Sequence, residues 1–108
     1  IPFWDLKAPG IPNELRDASS AAIMASALIE LSDYVDKSKS EIYMEVARKQ
    51  IRELASPKYT AGIGENGFFI LKHSVGNYPI NSEIDAPSTY ADYYYVEALT
   101  RLKKRLGN

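Results

Sequence analysis

His73 is the only histidine of the chain and stands in the run Leu71-Lys72-His73-Ser74-Val75-Gly76-Asn77. Imidazole, hydroxyl and amide close together suit hydrogen bonding to a polar, hydroxyl-rich ligand. With one histidine and no cysteine, neither a histidine cluster nor a thiolate site for a metal can form, and a cysteine nucleophile is excluded. A lone histidine in a glycine-punctuated loop has a structural reading as well, because function must be argued from the site. Trp4, preceded by Phe3, offers a flat apolar face for a sugar ring, with Asp5 beside it to accept hydroxyl hydrogen bonds. The same aromatics could instead pin their segment onto the fold. Arg16 and Asp17 could face the same ligand, although Asp17 is also placed to cap a helix. Tyr90, Tyr93, Tyr94 and Tyr95 look like an aromatic platform, yet at helical spacing they also suit interhelical packing. Gly62, Gly64 and Gly67 are read as turn glycines, since no Lys-Ser or Lys-Thr pair follows to hold a phosphate.

The elements that must position these groups are helical. Residues Ala18 to Leu31 contain no Gly or Pro and a single charge, with Asp17 or Ser19 as N-cap. Small and apolar residues run nearly all the way round this helix, so it needs neighbours on several sides. Ser38 and Glu41 have the spacing of a capping box, which predicts a second helix running to about Ala55. Its apolar stripe is Ile42, Tyr43, Val46, Ala47, Ile51 and Leu54, with charged residues off it, as expected in an outer layer. From Ser56 to Pro87 the helical pattern gives way to a long irregular loop, with a short strand expected at Phe68-Phe69-Ile70-Leu71. A third helix is expected from about Ser88 to Leu106. Its inward face would be Tyr90, Ala91, Tyr94, Ala98, Leu99 and Leu102, and its basic end would suit the helix dipole.

The short link at about 32–37 favours an antiparallel first pair, so a further reversal would make the first and third helices parallel. The segments preceding them, 1–17 and 57–87, would then share one end of the molecule, where a site would be built.

At 108 residues the chain has room for one domain. Its 45% hydrophobic and 25% charged residues describe a folded chain. Thirteen Lys+Arg against 14 Asp+Glu leave none of the basic excess that nucleic-acid binding needs. The longest nearly uncharged stretch, 18–29, is too short to span a bilayer, so no membrane span is expected. Three helices alone would leave the first helix partly uncovered, which points to missing chain or to association of several copies. An opening at Ile1-Pro2-Phe3-Trp4, without Met, is in keeping with a cut chain. The absence of cysteine suits periplasm and cytoplasm equally, so the compartment stays open.

The run Pro2-Phe3-Trp4-Asp5, followed by Arg16-Asp17-Ala18-Ser19, Ala21-Ala22-Ile23 and Ala25-Ser26-Ala27-Leu28, resembles the late region of the unsaturated glucuronyl hydrolases, glycoside hydrolase family 88. The runs 71–77 and Tyr90-Ala91-Asp92-Tyr93-Tyr94-Tyr95-Val96-Glu97-Ala98-Leu99 resemble that family's C-terminal end. Tyr95, Val96 and Thr100 stand where Phe or Leu are common in the family. The related unsaturated rhamnogalacturonyl hydrolases share the architecture.

The resemblance implies an all-α chain holding about three C-terminal helices of an (α/α)6 barrel: inner, outer and final inner, with the long loop before the last. Residues 1–108 would be a C-terminal fragment of one catalytic domain, whose partner is the remainder of its own barrel. The implied activity is removal of a 4,5-unsaturated uronic acid from the non-reducing end of lyase-generated oligosaccharides, with no cofactor and no metal. An aspartate would protonate C4 of the vinyl ether while water adds at C5. The resemblance places the catalytic aspartates upstream, so no catalytic role falls to Asp5, Asp17, Asp85 or Asp92. Trp4, Asp5, Arg16, His73, Ser74 and Asn77 are the expected substrate contacts. The rival reading is a non-catalytic helical interaction module that docks through its apolar helix.

Overall fold

The computed structural model describes residues 1–107. Helices α1 (Ala18–Leu31), α2 (Lys37–Leu54) and α3 (Thr89–Arg105) account for the regular structure, with single 3-10 turns at Asn66–Phe68 and Tyr78–Ile80. No helix is long and apolar enough to cross a membrane among the described residues.

Helix α1 packs against both other helices, whereas α2 and α3 barely meet. Its composition explains this central place. Ala18, Ala21, Ala22 and Ala25 are fully buried, and alanine lets two helix axes approach on different sides at once. Ala18, Ala21 and Ala22 cluster with Leu54 from the end of α2 and with Ala91 and Tyr95 from the start of α3. Ala25 and Ile29 cluster with Met44, Ala47, Ile51 and Ala98. The first pair is therefore antiparallel, α1 and α3 are parallel, and segments 1–17 and 57–87 meet at one end, as the loop lengths predict.

Each helix start has a side-chain cap. Asp17 caps α1 and Ser88 caps α3 by accepting from Ala91 N–H. The N-cap of α2 lies two residues earlier than expected: Asp36, not Ser38, caps the helix and accepts the Lys39 N–H. A carboxylate there also interacts favourably with the positive end of the helix dipole, which a serine hydroxyl does not match.

The buried stripes keep Ala47, Ile51 and Leu54 of α2 and Ala91 and Ala98 of α3, as expected, but their edges are shifted. On α2 it is Met44, Ala47, Ile51 and Leu54 that face α1, while Ile42 and Val46 are exposed. On α3 the buried residues are Ala91, Tyr95 and Ala98, and Tyr90 and Leu99 lie outside. Both helices carry more apolar residues than one neighbour can cover, so period alone cannot select the buried set. The small residues Ala47, Ala91 and Ala98 mark the lines of closest approach.

The strand expected at 68–71 does not form. Phe68 is in the left-handed region at φ 70°, and only Leu71 pairs, in a single antiparallel bridge to Thr60. The amides of Ile70 and Leu71 donate instead to the Asp92 carboxylate at 2.8 and 2.9 Å, so no neighbouring strand can use them. Beyond it, the bridges Ser74 to Ala86 and Asn77 to Ser82 fold the rest of the loop into a hairpin-like flap.

Candidate functional site

Two segments build the shared end, tied together at α1. The first begins with an antiparallel bridge between Phe3 and Arg16, in which Trp4 N–H donates to Leu15 O and Asp17 N–H to Pro2 O, both at 3.0 Å. The second passes over the start of α1, where His73 O accepts the Ala18 N–H at 3.0 Å and Val75 N–H donates to Asp17 Oδ1 at 3.0 Å.

Trp4 is held from two sides. Its ring stacks on Tyr78 with centroids 4.3 Å apart and planes 15° from parallel, which joins the two segments. Its indole N–H donates to Glu14 Oε2 at 2.8 Å. Trp4 and Asp5 line a recess of about 330 Å³ with Leu6, Ser20, Ile23 and Met24. That size and its mostly apolar wall are in the range of small-ligand sites. Asp5 is exposed, and its Oδ1 accepts the Lys7 N–H at 2.7 Å, closing its own turn.

Arg16 and His73 line a different recess of about 350 Å³, together with Glu14, Lys58, Tyr59 and Asp85. The Arg16 guanidinium lies 4.1 Å over the Phe3 ring and donates to Ile1 O at 2.5 Å. His73 Nδ1 lies 2.6 Å from Asp85 Oδ1, and its ring meets Tyr59 edge-on at 5.9 Å. His73 and Asp85 both have positive φ, 66° and 50°, each a strained choice of roughly 1 kcal/mol or more for a residue with a Cβ. Burial pushes the Tyr59 hydroxyl pKa up, and the nearby Glu53 carboxylate adds to the rise.

The six sequence-derived residues are thus divided. Trp4 and Asp5 face one recess and Arg16 and His73 the other, both at the same end. Ser74 is buried and its hydroxyl has no hydrogen-bond partner among the described residues, so Ser74, His73 and Asp85 do not form a nucleophilic triad. Asn77 is exposed on the flap beside Tyr78 and pairs through its backbone with Ser82.

Asp17, the alternative ligand, is a cap. It is buried and accepts from Ser19 N–H, Ser20 N–H and Val75 N–H and from the hydroxyls of Ser19 and Ser20. Tyr78, Glu14 and Tyr59 were not legible as site residues, because their roles depend on contacts between distant segments. The tyrosines of α3 divide as well: Tyr95 is core, while Tyr93 is exposed and meets Tyr94 edge-on at 5.1 Å.

No protein-family model matches the chain. An unsaturated glucuronyl hydrolase of Formosa agariphila is 46% identical over 101 residues, covering 94% of this chain and 24% of that protein. A solved unsaturated glucuronyl hydrolase specific for heparin superposes with a TM-score of 0.96 at 47% identity, covering all of this chain and 29% of the other. A further structure, with the oligosaccharide dGlcA-Glc-Rha-Glc, matches 97% of this chain and 28% of its own at a TM-score of 0.80 and 25% identity. The chain therefore spans about a quarter of the length of the relatives it matches. A helical interaction module finds no support in these likenesses, which run through the helices and both loop segments alike. Sequence and fold together place the chain in the unsaturated glucuronyl hydrolase family, as part of its all-helical (α/α)6 barrel.

Proposed function

We propose that this chain supplies the C-terminal helices of a single catalytic barrel that removes a 4,5-unsaturated uronic acid from the non-reducing end of lyase-generated oligosaccharides. The observation that carries the reading is that 94% of this chain, helices and loops together, aligns with about a quarter of the Formosa agariphila hydrolase at 46% identity. On this reading α1 is an inner helix, α2 an outer one and α3 the last inner helix. The apolar groups left exposed on α3 support it: Tyr93 and Val96 would be covered by the remaining helices of the same barrel.

In this chemistry an aspartic acid protonates C4 of the vinyl ether, water adds at C5, and the resulting hemiketal collapses to release the sugar. It differs from hydrolysis by two carboxylates flanking an oxocarbenium ion. Asp5, Asp17, Asp85 and Asp92 do not take that task. Asp17 and Asp92 are occupied by backbone donors, Asp85 by His73, and Asp5 by its own turn. The chain's part is to shape the sugar-facing end. Trp4, Asp5, Arg16, His73, Ser74 and Asn77 are the proposed contacts, of which Ser74 is buried in this structure.

The substrate class is an unsaturated uronyl oligosaccharide, and the heparin-specific relative makes the unsaturated disaccharide from heparin lyase digestion the first to try. Incubation with the intact enzyme should abolish the ultraviolet absorbance of the conjugated enol ether as sugar is released. Stable absorbance with every lyase-derived unsaturated oligosaccharide would overturn the reading.

A further inference from the structure

The geometry points to Glu14 as a positioning residue that fixes the in-plane orientation of the Trp4 ring for sugar stacking; this rests on the reading of Trp4 as a sugar contact. The two Glu14 oxygens have separate tasks. Oε2 accepts from the Trp4 indole at 2.8 Å, and Oε1 accepts from the Gly10 N–H at 2.9 Å. One carboxylate therefore ties the ring to the turn at residue 10 and removes its freedom to swing about the stacking axis.

The arrangement depends on Gly10. A Cβ built there would lie 2.6 Å from Glu14 Oε1 and 3.2 Å from its Cδ, so any larger residue would push the carboxylate away. Gly10 does not have positive φ, so its lack of a side chain answers to this close approach and not to the backbone.

Tyr78 covers one face of Trp4, and Trp4 itself lines the recess that runs to Ser20, Ile23 and Met24 of α1. Tyr78 alone would leave the indole free to slide in plane. The Glu14 hydrogen bond removes that motion, which is what a stacking platform needs if it is to bind without an ordering cost.

A platform that holds substrate and transition state equally lowers KM and leaves kcat alone. The test uses the intact enzyme with the unsaturated disaccharide from heparin, comparing Glu14→Ala, Glu14→Gln, Gly10→Ala, Trp4→Phe and Trp4→Ala. The Trp4 indole N–H resonance, assigned by its loss in Trp4→Phe, reports the hydrogen bond directly. Glu14→Ala and Gly10→Ala should move that resonance upfield and raise KM by about tenfold, as for loss of one charge-assisted hydrogen bond, with kcat within about twofold. Glu14→Gln keeps one acceptor and should fall between them and wild type. If Glu14→Ala unfolds the protein, Gly10→Ala carries the test, because it displaces only the end of a flexible side chain.

Should the resonance move in both variants while KM stays at the wild-type value, and Trp4→Ala still raises KM, Glu14 is merely structural and the inference fails while the sugar contact stands. Should Trp4→Ala itself leave KM unchanged, the sugar contact fails and takes the inference with it.

Discussion

Asp17 Oδ1 accepts the backbone N–H of Val75 at 3.0 Å across 58 positions of sequence, while the same carboxylate caps α1. One buried side chain thereby starts a helix and fixes the loop that carries His73. Removing it orphans several donors at once.

Asp17→Ala should lower stability by about 2–4 kcal/mol, the sum of a lost cap and an unsatisfied buried amide. Asp17→Asn should lose less, because one oxygen still accepts. Denaturant unfolding of the intact enzyme measures both, and a loss confined to cap size would show that the Val75 contact contributes nothing.

Asp92 plays the matching part on α3, receiving Ile70 N–H and Leu71 N–H. Asp92→Ala should cost about 1–3 kcal/mol and speed hydrogen exchange at those two amides. Unchanged protection at 70 and 71 would contradict the role given to this carboxylate.

Stability should fall in alkali through two tyrosines. Burial raises the pKa of Tyr59, with Glu53 adding to the rise, and burial likewise raises that of Tyr95. Each holds its proton more tightly folded than unfolded. Their stabilisation is therefore complete below the ordinary tyrosine value of about 10 and is lost as pH rises beyond it. Tyr59→Phe and Tyr95→Phe should flatten that alkaline decline in unfolding measurements, and an unaltered slope would assign it to other groups.

The helices and their relative directions were legible because alanine-rich α1, the short link after it and the Asp17 cap are local features. The shared end of the two loops followed from those directions. The buried faces were legible in part: Ala47, Ile51 and Leu54 on α2 and Ala91 and Ala98 on α3 are buried as expected, but α2 has Ile42 and Val46 beside Met44, and α3 has Tyr90 and Leu99 beside Tyr95, and only the position of α1 chooses between them. The strand at 68–71 was lost to a carboxylate on a helix 21 residues later in sequence than Leu71, and no short-range pattern encodes that competition. The Trp4 platform was half legible: the ring is visible in the sequence, but Tyr78 and Glu14, which hold it, are brought there by folding.

The 108-residue chain by itself should show no turnover of unsaturated oligosaccharide, because the reading places the general acid elsewhere in the barrel. It should also self-associate through the exposed Ile23, Met24, Tyr93 and Val96. Sedimentation and an activity assay on the purified chain check both, and an active monomer would require an acid among its own aspartates.

The most direct test of the account is the specificity constant of the intact enzyme for the unsaturated heparin disaccharide, measured for wild type, Trp4→Ala, His73→Ala and Lys49→Ala. Lys49 pairs with Glu45 on the exposed side of α2, and its removal should leave turnover and melting temperature unchanged. Trp4→Ala and His73→Ala should lower the specificity constant roughly ten- to hundredfold, the effect of losing one stacking or hydrogen-bonding contact to substrate. Full activity in both loop variants, with earlier melting, would make Trp4 and His73 packing anchors and contradict the claim that this end of the molecule meets the sugar.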